Sequence, residues 1–166
     1  MPEEMPFTYE EIQKLRELLE VEAIRKLRNL YAHLLDSGDI DALAALFTED
    51  AVCEFGPYGE WHGRETIRDN YRQVFREQIQ SEFGSLHNTG NHWVELTSPT
   101  TAVGRSYLID VLTHTDPAAN PVEWFGVYDD AYRKRDGAWL IERISLQFLW
   151  PQRQLSDGFS APFPPK

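Results

Sequence analysis

Residues 122–150 read VEWFGVYDDAYRKRDGAWLIERISLQFLW. Asp136-Gly137 sits in the middle, and Asp-Gly is the strongest short signal for a two-residue hairpin. Two long antiparallel strands follow, Val122–Arg135 and Ala138–Trp150. A strand with one wet face alternates apolar and polar residues, but these two do not. Phe125, Val127, Leu140, Ile144, Leu146 and Phe148 are apolar on one parity of the ideal hairpin, and Trp124, Tyr128, Tyr132, Trp139 and Ile141 are largely apolar on the other. A sheet greasy on both sides needs two covers.

Upstream, two more strands are predicted, His92–Leu96 and Ala102–Thr113. A turn at Asp116–Pro121 leads into the hairpin. Before the strands the period changes. Thr8 and Glu11 have capping-box spacing, and apolar residues from Ile12 to Leu35 recur every three to four positions, as a helical face requires. The acidic stretch at Glu20–Glu22 suggests a break in so long a helix. Gly38 ends it. A short helix is expected over Ile40–Phe47, a strand over Ala51–Phe55, and a third helix from Arg64 to about Gln80, with residues 81–85 as loop. Helices first and antiparallel strands after make an α+β fold, a curved sheet wrapped around N-terminal helices. The helices cover one face, and a second subunit is the expected cover of the other. One domain fits 166 residues, with its core over about 8–150. The Pro- and Gly-rich tail, 151–166, is expected over the surface or a pocket mouth.

Composition narrows the partners. The net charge is −11, and no Lys/Arg cluster offers a footprint for nucleic acid or an anionic membrane. A hydrophobic small molecule suits the 13% aromatic content better. Cys53 is the only cysteine, so a Cys-based metal motif or internal disulfide is excluded, and it reads as packing. The acidic N-terminus lacks the look of a signal peptide, and no apolar run reaches transmembrane length. A cytoplasmic protein is the simplest expectation.

Several strings resemble one family. Leu43–Ala51, Trp61–Ile67 and Arg135–Trp139 are similar, in order and spacing over residues 20–150, to segments of SnoaL-like proteins of the nuclear-transport-factor-2-like superfamily. That resemblance implies a cone-shaped α+β barrel. The superfamily contains dehydratases, dehydrochlorinases, ketosteroid isomerases, epoxide hydrolases and binders without activity, so fold alone does not choose among them. Tyr31 and Asp36, five residues apart, and His87 in Leu86–Asn91 resemble the sites of hexachlorocyclohexane dehydrochlorinase and bile acid 7α-dehydratase-type lyases. The resemblance implies a lyase site built from Tyr31, Asp36 and His87, with no metal or cofactor.

The chemistry agrees with those residue types. A histidine near pKa 6.5 suits proton abstraction, a carboxylate on its far nitrogen fixes the tautomer, and a phenol can donate to a leaving oxygen. Each also has a plainer reading: Asp36 as turn chemistry, Tyr31 as core, and His92 as the rival base. His87, His92 and Asp36 do not form a known zinc spacing. Tyr107 or Leu108, with Tyr128, Leu146 and Phe148, are the predicted substrate-binding wall, and Arg105 is a candidate anion stabiliser. The last strand departs from the family. Ile144 takes the position where a basic residue is common, and Arg143 is expected to point away, towards Asp130.

The expected activity is elimination of water, halide or another small group from a hydrophobic cyclic or aromatic molecule. Three alternatives stay open. One is carbon–carbon cleavage releasing an aldehyde such as formaldehyde from a lignin-like diol. Another is a ketosteroid-isomerase-like isomerase or cyclase, and the last is a binding module without chemistry. A homodimer or homotrimer is expected.

Overall fold

The computed structural model describes residues 6–119 and 122–159. Helix α1 (Tyr9–Ser37) starts at the Thr8/Glu11 capping box and ends at Gly38, whose φ of 79° is the left-handed cap that glycine adopts freely. The expected break at Glu20–Glu22 is absent. The stretch holds neither Gly nor Pro, and the Glu20 carboxylate accepts from Lys134 Nζ at 2.6 Å and Trp139 Nε1 at 2.5 Å, docking this part of the helix on the hairpin. The apolar stripe is not buried throughout. Leu15, Leu18 and Leu19 are exposed, and the core begins at Ile24.

Asp39 caps α2 (Ile40–Ala44) through the Ala42 N–H. This helix is shorter than expected, because buried Phe47 already opens strand β1 (Phe47–Glu54). Strand β2 (Glu60–His62) follows. Helix α3 (Arg64–Val74) ends in a π-helical turn, Phe75–Ile79. Strands β3 (Ser85–Ser98), β4 (Thr101–Leu112), β5 (Val122–Arg135) and β6 (Ala138–Trp150) complete the chain's sheet. β3 begins seven residues before the predicted His92, which brings His87 into a strand.

The six strands run β2-β1-β6-β5-β4-β3, curved around the helices but not closed, so β2 and β3 are edges. Only β1 and β6 pair in parallel among these neighbours. This is the expected α+β architecture. The register is where the ideal hairpin fails. Ala131 pairs with Arg143 but Tyr132 with Ile141, leaving Glu142 as an extra residue, and Leu149 is extra between Trp150 and Phe148. Each such bulge exchanges the faces of the strand beyond it. The inner face therefore joins Trp139, Ile141, Ile144, Leu146 and Phe148 with Tyr128 and Tyr132, and Val127 turns outward.

The described part of the tail, residues 151–159, lies over the surface. Gln154 forms a two-way bridge with Phe148, and the Ser156 N–H donates to buried Gln147 Oε1 at 2.7 Å. Phe159 lies 4.4 Å from the Arg105 guanidinium. The chain's own tail thus covers part of the outer face, where a second subunit was expected. The prediction for residues 160–166 lies outside the described residues. No helix among the described residues is long and apolar enough to cross a membrane.

Candidate active site

The mouth of the curved sheet holds an aromatic cavity of about 110 Å³. Tyr31 and Leu35 reach it from α1, Tyr71 from α3, His87 from β3, Leu108 and Asp110 from β4. Tyr128, Leu146 and Phe148 add the β5–β6 wall.

His87 and Asp36 meet there. Asp36 ends the last turn of α1, and α1 packs along β3. Its carboxylate reaches His87 twice. Oδ1 lies 2.6 Å from the ring Nδ1, and Oδ2 accepts the His87 backbone N–H at 3.0 Å. This places Nδ1–H on Asp36 and leaves Nε2 bare towards the cavity. Burial lowers the His87 pKa, but the Asp36 hydrogen bond and the nearby Asp110 charge outweigh it, and the net shift is upward from 6.5.

Asp110 was not read from the sequence. Its Oδ2 stands 3.9 Å from His87 Nε2, and Ser85 Oγ donates to its Oδ1. The gap is too long for a direct hydrogen bond and opens on the cavity. A carboxylate between apolar strand residues was the only signal.

The Tyr31 and Tyr71 hydroxyls are 2.6 Å apart, so Tyr31 is both core and cavity wall. Burial pushes the Tyr31 phenol up to about 12, against the pull of Arg28 and the Tyr71 hydrogen bond. Tyr71 and Tyr128 are pushed further by burial. All three stay protonated at neutral pH and can donate.

Several predicted residues fall elsewhere. Tyr107 is 54% exposed on the outer face, and Leu108 takes the inward position instead. Arg105 also faces outward, its Nη2 3.0 Å from Asp129 Oδ1. Arg143 does point away, but it pairs with Glu54 at 2.8 Å, and Asp130 faces inward to Arg28. His92 contacts the Tyr132 hydroxyl at 3.3 Å instead of joining Asp36. Burial, with the Arg28 and Arg25 charges, lowers its pKa to about 4. Cys53 is buried, which raises its thiol pKa well above the usual range. Among the described residues, no three His, Cys, Asp or Glu side chains stand together as a metal site.

Known structures share this architecture. A candidate scytalone dehydratase from Novosphingobium aromaticivorans aligns with a TM-score of 0.72 at 24% identity, over 87% of this chain and 97% of its own. An NTF2-like protein with a cystatin-like fold from the same organism aligns at 0.72 with 22% identity, over 89% and 94%. LinA aligns at 0.71 with 20% identity, over 90% and 99%. At these identities the likeness is one of fold. A family model described as SnoaL-like domain matches residues 16–145, and the chain accordingly belongs to the SnoaL-like domain family.

Proposed function

We propose that the protein is a cofactor-independent lyase acting on a hydrophobic cyclic or aromatic molecule. One observation carries this reading. The Asp36–His87 pair, in contact at 2.6 Å, faces a cavity walled mainly by aromatic and aliphatic side chains, with Nε2 free to take a proton. His87 Nε2 removes a proton from the carbon next to the one bearing the leaving group. The C–H electron pair becomes the new C=C bond, and the leaving group departs with its own bonding pair. Asp36 stabilises the imidazolium so formed. A departing hydroxyl leaves as water when that imidazolium returns the proton on the same face. Tyr31 or Tyr128 donates a hydrogen bond to the leaving oxygen, and Asp110 is placed to accept one from a substrate hydroxyl near Nε2. The cavity is on the scale of one that takes up a single ring, about 150 Å³ for benzene.

The test is a screen of hydroxylated and halogenated ring compounds, including aryl diols, with products read by mass. Loss of water or acid supports elimination, whereas loss of formaldehyde moves the same base to carbon–carbon cleavage. His87→Ala and Asp36→Asn are each expected to slow turnover by roughly 10²- to 10⁴-fold. Undiminished turnover in His87→Ala would end the proposal. An isomerase would return product of unchanged mass, and binding without turnover across the screen would favour a module without chemistry.

A further inference from the structure

Arg28 is completely buried on α1, one turn before Tyr31. Its guanidinium carbon stands 3.5 Å from the centre of the Tyr128 ring and 4.3 Å from that of Tyr31. Its Nε lies 3.4 Å from Asp130 Oδ2, also fully buried. None of its three nitrogens has a hydrogen-bond partner among the described residues, and Asp130 Oδ1 has none either. A buried guanidinium normally engages its fixed fork of donors. A buried ion pair that only packs the core can often be replaced, both partners together, by apolar side chains with little loss of stability. Here the cation has given up its hydrogen bonds and presents its charge to two rings.

Those two rings line the cavity and Arg28 does not. A cation over an aromatic face is held by the ring's electron density. In turn it draws that density from the phenol, and a phenol so depleted is a stronger hydrogen-bond donor. The remaining inward groups around it are the Asp130 carboxylate, the Tyr132 phenol bonded to it at 3.0 Å, and His92. His87, Arg25, Cys53, Tyr71, Asp110, Asp129 and Arg143 are further charged or titratable groups whose fields reach this region.

We propose that Arg28 is a positioning residue of this site, a cation that acts on the cavity through the Tyr31 and Tyr128 rings and makes their hydroxyls the donors for a negatively charged oxygen. This deepens the lyase reading and rests on it, since the oxygen is that of a leaving group or enolate. The charge follows the same pattern on the titratable groups nearby. It pulls the Tyr31, Tyr128 and Tyr132 phenols down against burial. It also opposes the upward shift of His87.

The decisive experiment compares wild type with the double variant Arg28→Met/Asp130→Asn, which removes both charges at similar volume. Arg28→Met alone would strand a buried carboxylate. Far-ultraviolet circular dichroism and melting establish folding. Two readouts need no substrate. One is the ionisation of 4-nitrophenol bound in the cavity, followed by absorbance, and the other is the titration of His87 followed by nitrogen NMR. Wild type is expected to bind the nitrophenolate in preference to the neutral phenol, and the double variant to lose about tenfold of that preference. The His87 midpoint is expected to rise in the variant. Arg28→Lys, which keeps the charge, is expected to retain most of both signals. Wild type with no preference for the nitrophenolate, or a folded double variant with both signals unchanged, overturns the proposal. A failed substrate screen would count against the lyase reading alone, because neither readout depends on turnover.

Discussion

At the scale of single residues, the dyad has a pH signature in stability as well as in rate. The folded pKa of His87 lies above 6.5, so the folded state binds this proton more tightly than the unfolded chain. That stabilisation is complete below about pH 6.5 and is lost as pH rises through the folded value. The stability difference between wild type and His87→Gln should therefore shrink over that window, measured by urea unfolding at several pH values. If His87 is the base, kcat/KM should climb over the same window above pH 6.5. Tyr31, Asp36 and His87 were legible because their spacing resembled a known pattern. Arg28 was not, because an arginine among Arg25, Lys26 and Asn29 on a helix reads as a solvated side chain. Only the packed Tyr128 and Asp130 reveal that it turns inward.

Among the elements, helices and strands were legible from periodicity, while strand faces were not. An ideal hairpin puts Leu146 opposite Val127, yet the extra residue at Glu142 puts it opposite Tyr128. A second irregularity lies in β3 between Gly90 and Trp93. It brings His92 inward although His87, an odd number of positions away, is inward too. Parity alone could not have ranked the two histidines, nor placed Tyr107 and Arg105. Deleting Glu142 removes the extra residue while leaving Tyr132 opposite Ile141 and Ala131 opposite Arg143, so Trp139, Ile141 and Ile144 should stay inward and unfolding followed by circular dichroism should stay cooperative. The junction of α1 and α2 gives a further test. Gly38 has φ 79°, and a Cβ there would sit 2.5 Å from Phe75 Cζ. Gly38→Ala should cost at least about 1–2 kcal/mol from the left-handed backbone alone, seen as a lower urea midpoint.

For the whole molecule, the doubly apolar sheet implied two covers; the helices supply one, and the described tail lies over part of the other face. Strands β3 to β5 still expose Leu86, Trp93, Tyr107, Ile109 and Phe125 on the outer face. A second copy of the chain is the proposed cover, since so large an apolar surface is unusual on a monomer. Sedimentation should give a mass above that of one chain, and Tyr107→Glu should reduce it while leaving the cavity intact. The Asp36 carboxylate has a further consequence at this scale. It accepts the His87 backbone N–H on β3, a strand with no sheet neighbour on that side. An unsatisfied strand margin is a template for pairing with other chains, and Asp36 occupies one donor of that margin, which is expected to hinder such pairing. Replacing it with alanine should make the protein precipitate during expression, whereas the asparagine variant can still accept that N–H and should stay dispersed.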